Sequence, residues 1–550
     1  MPPTFLDLPL PPRLYSGEDL RAEFGRGLAM VIGYDPTSIA RKPFVTEGRV
    51  PLVVLGAGTA GVAAATEAAR LGLGVVLVDE HPVASALMGI DVPWMFGERM
   101  TGAVQNQARM VERIVAARPD LQDAVEAGVD VRLGVYAWSA FVEGPTSQAL
   151  EGNLLGLADE ERSWLVQFDR IIVAAGARDL ALAFPGWDRP GVMGAQGFAA
   201  AVGLYSAFSG RRIVVLGSGA LGAHVVRQAQ AAGIEVAAVV DVAARGGAFE
   251  VPLHTGYRVT GLLGTGEVEG VAIMRGDGGA LDIACDTVVL AIDVVPNVEM
   301  FDLLACATRF APDLGGFVPV LDAEGRCSRP GAYAAGDCAG IADAGFADPA
   351  RAAAAGRNAA RTAVRDAGLA APDADPVAPP ADADRDAWRR EWLAAHTGPE
   401  ARGLTICRCE EVPLEDLIGV RPPRYLDYTA AKFAARDVRT LAADGPVNQD
   451  QVKRLTRAGM GPCQGRRCRE QVQILLAMQG NQASGDIAMP SYRAPLRPLP
   501  LKVINAADES PEIRAGWSAW LGIPAQWLPH WEPAPEGLTW ESRVTPGVEE

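Results

Sequence analysis

The chain has 550 residues and a mass of 57.8 kDa, too much for one hydrophobic core, so three or four folding units are expected. A hydrophobic share of 49% against 21% charged residues argues against a disordered chain. A formal charge of −17 makes nucleic acid and anionic membrane surfaces poor partners.

Residues 1–48 carry no repeat and no strong pattern and read as an N-terminal arm, MPPTFLDLPLPPRLYSGEDL lacking the basic and apolar regions of a secretory signal. From Pro51 the text alternates between strand and helix. PLVVLG (51–56) is a buried strand ending in glycine, TAGVAAATEAARLG (59–72) a helix, and VVLVDE (75–80) a second strand, an order that predicts a parallel sheet. A helix is expected at about 101–117, then strands near 130–137 and at RIIVAAG (170–176). After the Pro/Gly-rich crossing FPGWDRPGV (184–192), the strand–turn–helix–strand pattern begins again at 211–241. DTVVLAIDVVPN (286–297) reads as a strand leaving that second unit, and GAYAAGDCAGI (331–341) as a return to a strand, a turn and a helix. The expected division is therefore a discontinuous first domain (49–184 with 310–368) and a second at 185–309. A linker at 369–399, rich in Pro, Ala and Asp, a compact cysteine-bearing unit at 400–487 and a strap at 488–550 complete it. The strap holds Trp517, Trp520, Trp527, Trp531 and Trp540, a density expected to pack on its own chain or on a partner.

No stretch reaches the roughly eighteen apolar residues of a membrane span, and a cytoplasmic protein is expected. In that compartment the eight cysteines stay reduced. Cys285, Cys306, Cys327 and Cys338 are scattered through apolar segments and read as packing residues, whereas Cys407, Cys409, Cys463 and Cys468 are clustered.

Two glycine sets carry the first chemical signal. Gly56, Gly58 and Gly61, with Asp79 ending the next strand, have the spacing that cradles a dinucleotide. The first glycine makes the tight turn, the second admits the pyrophosphate and the third lets helix approach strand. The helix start adds unpaired N–H groups for the phosphates, and the acid serves the ribose. Gly217, Gly219 and Gly222, with Asp241, repeat the pattern. Asp241 suits an unphosphorylated NAD ribose, while Arg245 suits a 2′-phosphate; a retained fold with an empty or remodelled pocket stands beside both.

With these motifs in order, 50–365 resembles the flavoprotein family with two dinucleotide domains to which glutathione reductase belongs. The resemblance implies FAD on the first glycine set, Gly176 near its adenosine end, and the late AAGD (334–337), with Gly336 and Asp337, against its ribityl chain and phosphates. The segment 81–100 has no cysteine where the disulfide reductases of that family keep a redox CxxxxC, which removes disulfide reduction by that route.

The pairs Cys407/Cys409 and Cys463/Cys468, separated by 53 residues, suit an iron–sulfur cluster, with zinc as the alternative. The glycine-rich GMGPCQGRRC (459–468) offers amides to sulfur, and Arg466 and Arg467 favour thiolates. ICRCEEV (406–412) and 453–468 resemble the [2Fe-2S] domain related to bacterioferritin-associated ferredoxin. With FPGWDRPGV, AAGDCAGI and SYRAPLRPLPL (491–501), they are similar to the alpha subunits of heteromeric amine and imino-acid dehydrogenases. An apparent insertion at 421–438 lengthens the usual spacing between the cysteine pairs, and the Gly-Gly-Gln turn of many relatives is absent after Asp79.

The fold class is accordingly α/β: two Rossmann-like dinucleotide-binding domains of the disulfide-reductase-like flavoprotein fold, then a small bacterioferritin-associated-ferredoxin-like [2Fe-2S] domain. The resemblance implies an electron-transferring chain that works with an amine-oxidase-like FAD beta subunit, with room for a small third subunit. FMN at a subunit interface, and NAD(P) or another adenine nucleotide in the second site, complete the expected cofactors. The alternatives are a self-sufficient NAD(P)H-dependent reductase feeding a ferredoxin or oxygenase, and a scaffold with vestigial nucleotide folds. The five histidines are dispersed and no nucleophile elbow, P-loop or zinc-protease motif occurs, so the organic chemistry is left to flavin.

Overall fold

The computed structural model describes residues 46–82, 107–143, 152–341, 348–375, 385–423 and 435–505. The Trp-rich tail, most of 81–100 and most of the 421–438 insertion lie outside them.

The apolar run at Arg49–Leu55 is the centre of a seven-stranded sheet. It pairs in parallel with Val75–Asp79 on one side and with Ser163–Val173 on the other. Asp130–Leu133 extends one edge, and Leu154–Ala158 and Tyr136–Phe141 add an antiparallel flank to the other. Ala332–Ala334 returns from late in the chain to pair with Ser163–Val173, so the first domain is built from two stretches of sequence. Helices Thr59–Arg70 and Pro349–Asp366 pack against each other on one face of this sheet. A Cβ on Gly356 would lie 2.0 Å from the Ala60 carbonyl oxygen, so only glycine permits that crossing. The expected helix near 101–117 is observed as Gln107–Ala116, followed by a second helix at Pro119–Glu126 that the sequence pattern did not suggest.

The second domain has a five-stranded parallel sheet in the order Leu253–Thr255, Glu235–Asp241, Arg212–Leu216, Thr287–Leu290, Val192–Gly194. An antiparallel three-stranded sheet at Tyr257–Leu263, Gly270–Arg275 and Ala280–Ala284 lies beside it. The two domains are joined where Ala177–Asp179 pairs antiparallel with Val294–Pro296, so the strand leaving the second unit does pair, but with the link into it.

The segment expected as a linker at 369–399 requires correction. Its last part is the helix Arg385–His396, with Trp388, Trp392, Leu393 and His396 buried. Spacings of four, five and eight residues place these on one face, a helical stripe that the Pro/Ala/Asp composition upstream obscured. That stripe enters a single apolar core shared by the second domain (Val214, Leu216, Val240) and the cysteine-bearing unit (Ile406, Leu475, Leu476). The latter unit is a short hairpin, Thr405–Cys407 with Val412–Pro413, followed by helices of which Arg469–Gly480 is the most buried. Beyond it, 488–505 runs back over the first domain: the Leu496 N–H donates to the Trp138 carbonyl, Arg497 pairs with Glu80, and Val503 is buried.

His396 makes this docking sensitive to acid. Its Nε2 accepts the Val259 N–H at 3.0 Å and its Nδ1 lies 2.8 Å from the Trp392 carbonyl, a pair of roles that only the neutral ring fills. Burial pushes its pKa down from 6.5 to about 4. The unfolded chain therefore binds this proton first as pH falls. The contribution is complete above about pH 6.5 and is lost as pH drops towards 4, a cost of about 3 kcal/mol. Denaturant titrations of the native chain and of His396→Gln should diverge by that amount over this window; parallel curves would remove His396 as the cause.

Candidate functional site

The first glycine turn is preorganised and open. Gly56 has φ +104°, and a Cβ there would meet the Ala174 carbonyl oxygen at 2.2 Å. Gly61 would drive a Cβ into the Gly56 carbonyl oxygen, which explains the third glycine. Gly58, the N-cap of helix Thr59–Arg70, has nothing among the described residues within 4 Å of its Cβ position and no side-chain cap, so among them its side of the turn and the helix amides are open to a phosphate. Asp79 holds the turn by accepting the Ala57 N–H at 2.5 Å and the His81 N–H at 2.7 Å. Arg118 reaches the same turn from the start of helix Pro119–Glu126, donating to the Ala57 carbonyl at 3.1 Å. Its hydrogen bond to Asp120 raises its pKa above the usual guanidinium value, and Asp79 adds to this, so a fixed cation stands near Asp79. His81 is tied to Tyr205 at 2.7 Å. Neither Arg118 nor Tyr205 belongs to any local motif, and the sequence reading missed both.

Gly176 (φ +65°) follows the strand Ser163–Val173 and also faces open space. Gly336 and Asp337 begin the tight 3-10 turn Gly336–Ala339, directly after the strand that pairs with Ser163–Val173. Gly336 packs so closely on Ala60 that a Cβ would lie 2.9 Å away, which brings Asp337 to the start of the first helix. Burial raises the Asp337 pKa, and Arg385 and Arg351 oppose that rise. The elements expected to hold FAD, Gly56, Gly58, Gly61, Asp79, Gly176, Gly336 and Asp337, therefore meet at the carboxyl ends of the parallel strands of one sheet.

The four clustered cysteines come together in two pairs. The Cys407 and Cys468 thiols lie close enough to act on each other's ionisation, as do those of Cys409 and Cys463. The neighbouring Cys468 brings Cys407 down to about 7, aided by the Gly459 and Glu410 amides; the Gly459 N–H lies 3.4 Å from the Cys407 sulfur. The neighbouring Cys409 brings Cys463 down to about 6, with help from the Arg467 and Gly465 amides and the Arg467 charge. Their partners Cys468 and Cys409 are pushed up by the same pairing and by burial. Each pair thus holds one thiolate-prone sulfur. Among the described residues no three His, Cys, Asp or Glu groups stand as ligands of a single metal ion. Two thiols together, and two more beside them, fit a dinuclear group with two thiolates per metal better than one tetrahedral ion.

Arg467 acts on sulfur as expected, but Arg466 faces Glu299 at 3.6 Å. It belongs to a buried network centred on Arg178, which also escaped the sequence reading. The Arg178 Nε donates to the Arg466 carbonyl at 3.1 Å, Nη1 to Asn297 and to Glu299 at 3.0 Å, and Nη2 to Glu470. The Arg469 Nε donates to Glu470 (2.7 Å), and its Nη2 forms an ion pair with Glu299 (2.8 Å). The strand that follows Gly176 is in this way clasped to both sides of Cys468.

The second glycine turn has the geometry of the first with a different outcome. Gly217 repeats the tight turn (φ +121°), Gly222 the close helix approach, and Asp241 accepts the Ser218 N–H at 2.7 Å. Gly219, however, faces the Trp388 ring, 2.9 Å from where a Cβ would be, and Asp241 is wholly buried.

Residues 50–365 match the model of the pyridine nucleotide-disulphide oxidoreductases. The chain belongs to that family. It is an oxidoreductase of flavoprotein fold, and FAD is the cofactor the family implies. Residues 424–508 match the sarcosine oxidase A3 domain. An opine oxidase subunit of Agrobacterium tumefaciens (strain Ach5) is 26% identical, over 82% of this chain and 90% of its own. Hydrogen cyanide synthase subunit HcnB of Pseudomonas aeruginosa is 27% identical, over 76% and 90%. In fold, the L-proline dehydrogenase from P. horikoshii superposes with a TM-score of 0.58 over 84% of this chain and 80% of its own, at 19% identity. Among the described residues no helix is long and apolar enough to cross a membrane.

Proposed function

We propose that the chain is the electron-transferring alpha subunit of a multi-subunit flavoprotein dehydrogenase or oxidase, cytoplasmic and acting on a secondary amine or an amino-acid derivative. In this reading FAD lies along Gly56, Gly58, Gly61, Asp79, Gly176, Gly336 and Asp337, and Cys407, Cys409, Cys463 and Cys468 hold a [2Fe-2S] cluster. Substrate oxidation takes place on an amine-oxidase-like partner subunit. Relatives named as subunits of opine oxidase and hydrogen cyanide synthase support the heteromeric assignment and the class of carbon–nitrogen substrate. The observation that carries the reading is the two-by-two pairing of thiols clasped by Arg178 to the strand after Gly176. Flavin accepts electrons in pairs and such a cluster passes them singly, so the two together divide a hydride equivalent. The chain's own work is to hold both groups: the first turn and Asp79 bind the nucleotide end, the Gly459 and Gly465 amides and Arg467 stabilise thiolate sulfur, and burial keeps water from Cys407, Cys463 and Cys468.

Anaerobic purification followed by iron, acid-labile sulfide and flavin analysis tests this directly. Two irons and two sulfides per chain are expected, with loss of both in Cys463→Ser, and FAD retained. Zinc in place of iron, or a colourless protein, would defeat the proposal. FMN at a subunit interface belongs to the same reading, and should be extracted beside FAD only when the partner subunit is co-purified.

A further inference from the structure

We propose that the second dinucleotide fold is filled from within. The helix Arg385–His396 occupies the place of an adenine dinucleotide and turns that fold into a socket for the cysteine-bearing unit. The two glycine turns serve as each other's control. At Gly58 the space that a pyrophosphate needs is open, whereas at Gly219 the same space is closed by the Trp388 ring.

The helix also satisfies the groups that would recognise the rest of a nucleotide. Asp241, the ribose acid, has one oxygen on the Ser218 N–H and hydroxyl (2.7 and 2.9 Å), and the other faces the Trp388 indole N–H at 3.4 Å and the Ala243 N–H at 3.3 Å. The indole N–H thus stands where a ribose hydroxyl would donate. Arg245, the candidate for a 2′-phosphate, pairs instead with the Glu391 carboxylate one helical turn on, and its guanidinium lies 5.2 Å from the Trp388 ring centre. An aromatic ring, a hydrogen-bond donor and an anion are the three features by which such a site reads a phosphorylated adenosine. All three come from one helix.

The occupant is anchored. Arg385 and Arg389 both pair with the buried Asp293; burial raises its pKa, and the two guanidiniums outweigh that and hold it below the usual carboxylate range. Lifting the helix would strip both cations from a buried carboxylate. The helix also carries the cysteine-bearing unit: Arg390 donates to the Gln482 carbonyl (3.1 Å) and the Ser484 hydroxyl (2.9 Å), which in turn donates to Asp386. A nucleotide in the second fold and a docked cysteine-bearing unit are therefore mutually exclusive.

Calorimetry on the full chain with NADH, NADPH and ADP-ribose tests the inference. The native chain should bind none of them through the second fold, even at millimolar ligand. Trp388→Ala should gain binding of ADP-ribose by about tenfold or more, and Asp241→Asn added to it should remove that gain. Binding of NADH or NADPH to the native chain that Asp241→Asn abolishes would overturn the proposal, as would a folded Trp388→Ala that gains nothing. If that variant does not fold, hydrogen exchange on the native chain decides: protection of 385–396 should be the same with and without NADPH, and loss of protection on adding it would refute the plug. The inference stands apart from the flavin reading, because Asp241→Asn reports on the second fold alone.

Discussion

Gly58→Val is expected to leave the fold intact and abolish flavin retention, whereas Gly56→Ala should lose both. Gly58 has φ −67° and ψ 176°, a conformation open to any residue, and its Cβ would meet nothing within 4 Å. The new side chain would project only into the space that the proposed site leaves for the pyrophosphate. A fall of about a hundredfold or more in flavin affinity is expected, near 3 kcal/mol, with little change in the thermal midpoint. Gly56 combines φ +104° with a carbonyl oxygen 2.2 Å from the added carbon. Backbone strain and overpacking together should cost roughly 3 kcal/mol or more. Flavin absorbance after desalting, read beside denaturant melts, separates the two cases. Full flavin in a folded Gly58→Val chain would show that the first turn is not the binding site.

Replacing Arg178 by Met should be among the most damaging changes away from the cofactors. Glu299 and Glu470 are both buried, and burial raises the pKa of each while Arg178 opposes that rise. Removing the shared cation leaves two carboxylates competing for Arg469 and Arg466, a loss of about 3–5 kcal/mol in chemical denaturation. Both acids would hold their protons to still higher pH in the variant, so ionising them as pH rises should cost it more stability than it costs the native chain, and the gap between the two denaturation curves should widen from acid towards neutral pH. Arg178→Lys should recover only part of the loss, since one ammonium cannot span the Arg466 carbonyl and two carboxylates. A change within about 1 kcal/mol for Arg178→Met would mean that the network holds nothing together.

What was legible in the sequence was local. The two glycine turns need three residues at fixed offsets plus an acid at the end of the next strand. Steric demands at Gly56, Gly61, Gly217 and Gly222 write that pattern directly into the text. The four clustered cysteines were legible for the same reason, each pair lying within one short turn. Their pairing was not: Cys407 meets Cys468 and Cys409 meets Cys463, across the gap rather than within it. The Arg178–Glu470 contact spans 292 positions and has no local signature. Arg118 reads as an ordinary surface cation until the chain folds it onto the Ala57 carbonyl. Trp388 was visible as a residue, but its helix was hidden by the composition of the segment before it, and only the three-dimensional structure sets the indole against Gly219.

The cysteine-bearing unit is fastened fore and aft. Helix Arg385–His396 pins its entry to the second domain, and beyond its exit the Tyr492 N–H donates to Asp302 (2.8 Å) and the Leu496 N–H to the Trp138 carbonyl of the first domain (2.7 Å). A carrier moored at two points has no arc to swing through. Any electron leaving the flavin edge for the thiol centre would cross a gap fixed by architecture, answering to driving force and temperature while staying indifferent to the viscosity of the surrounding solvent.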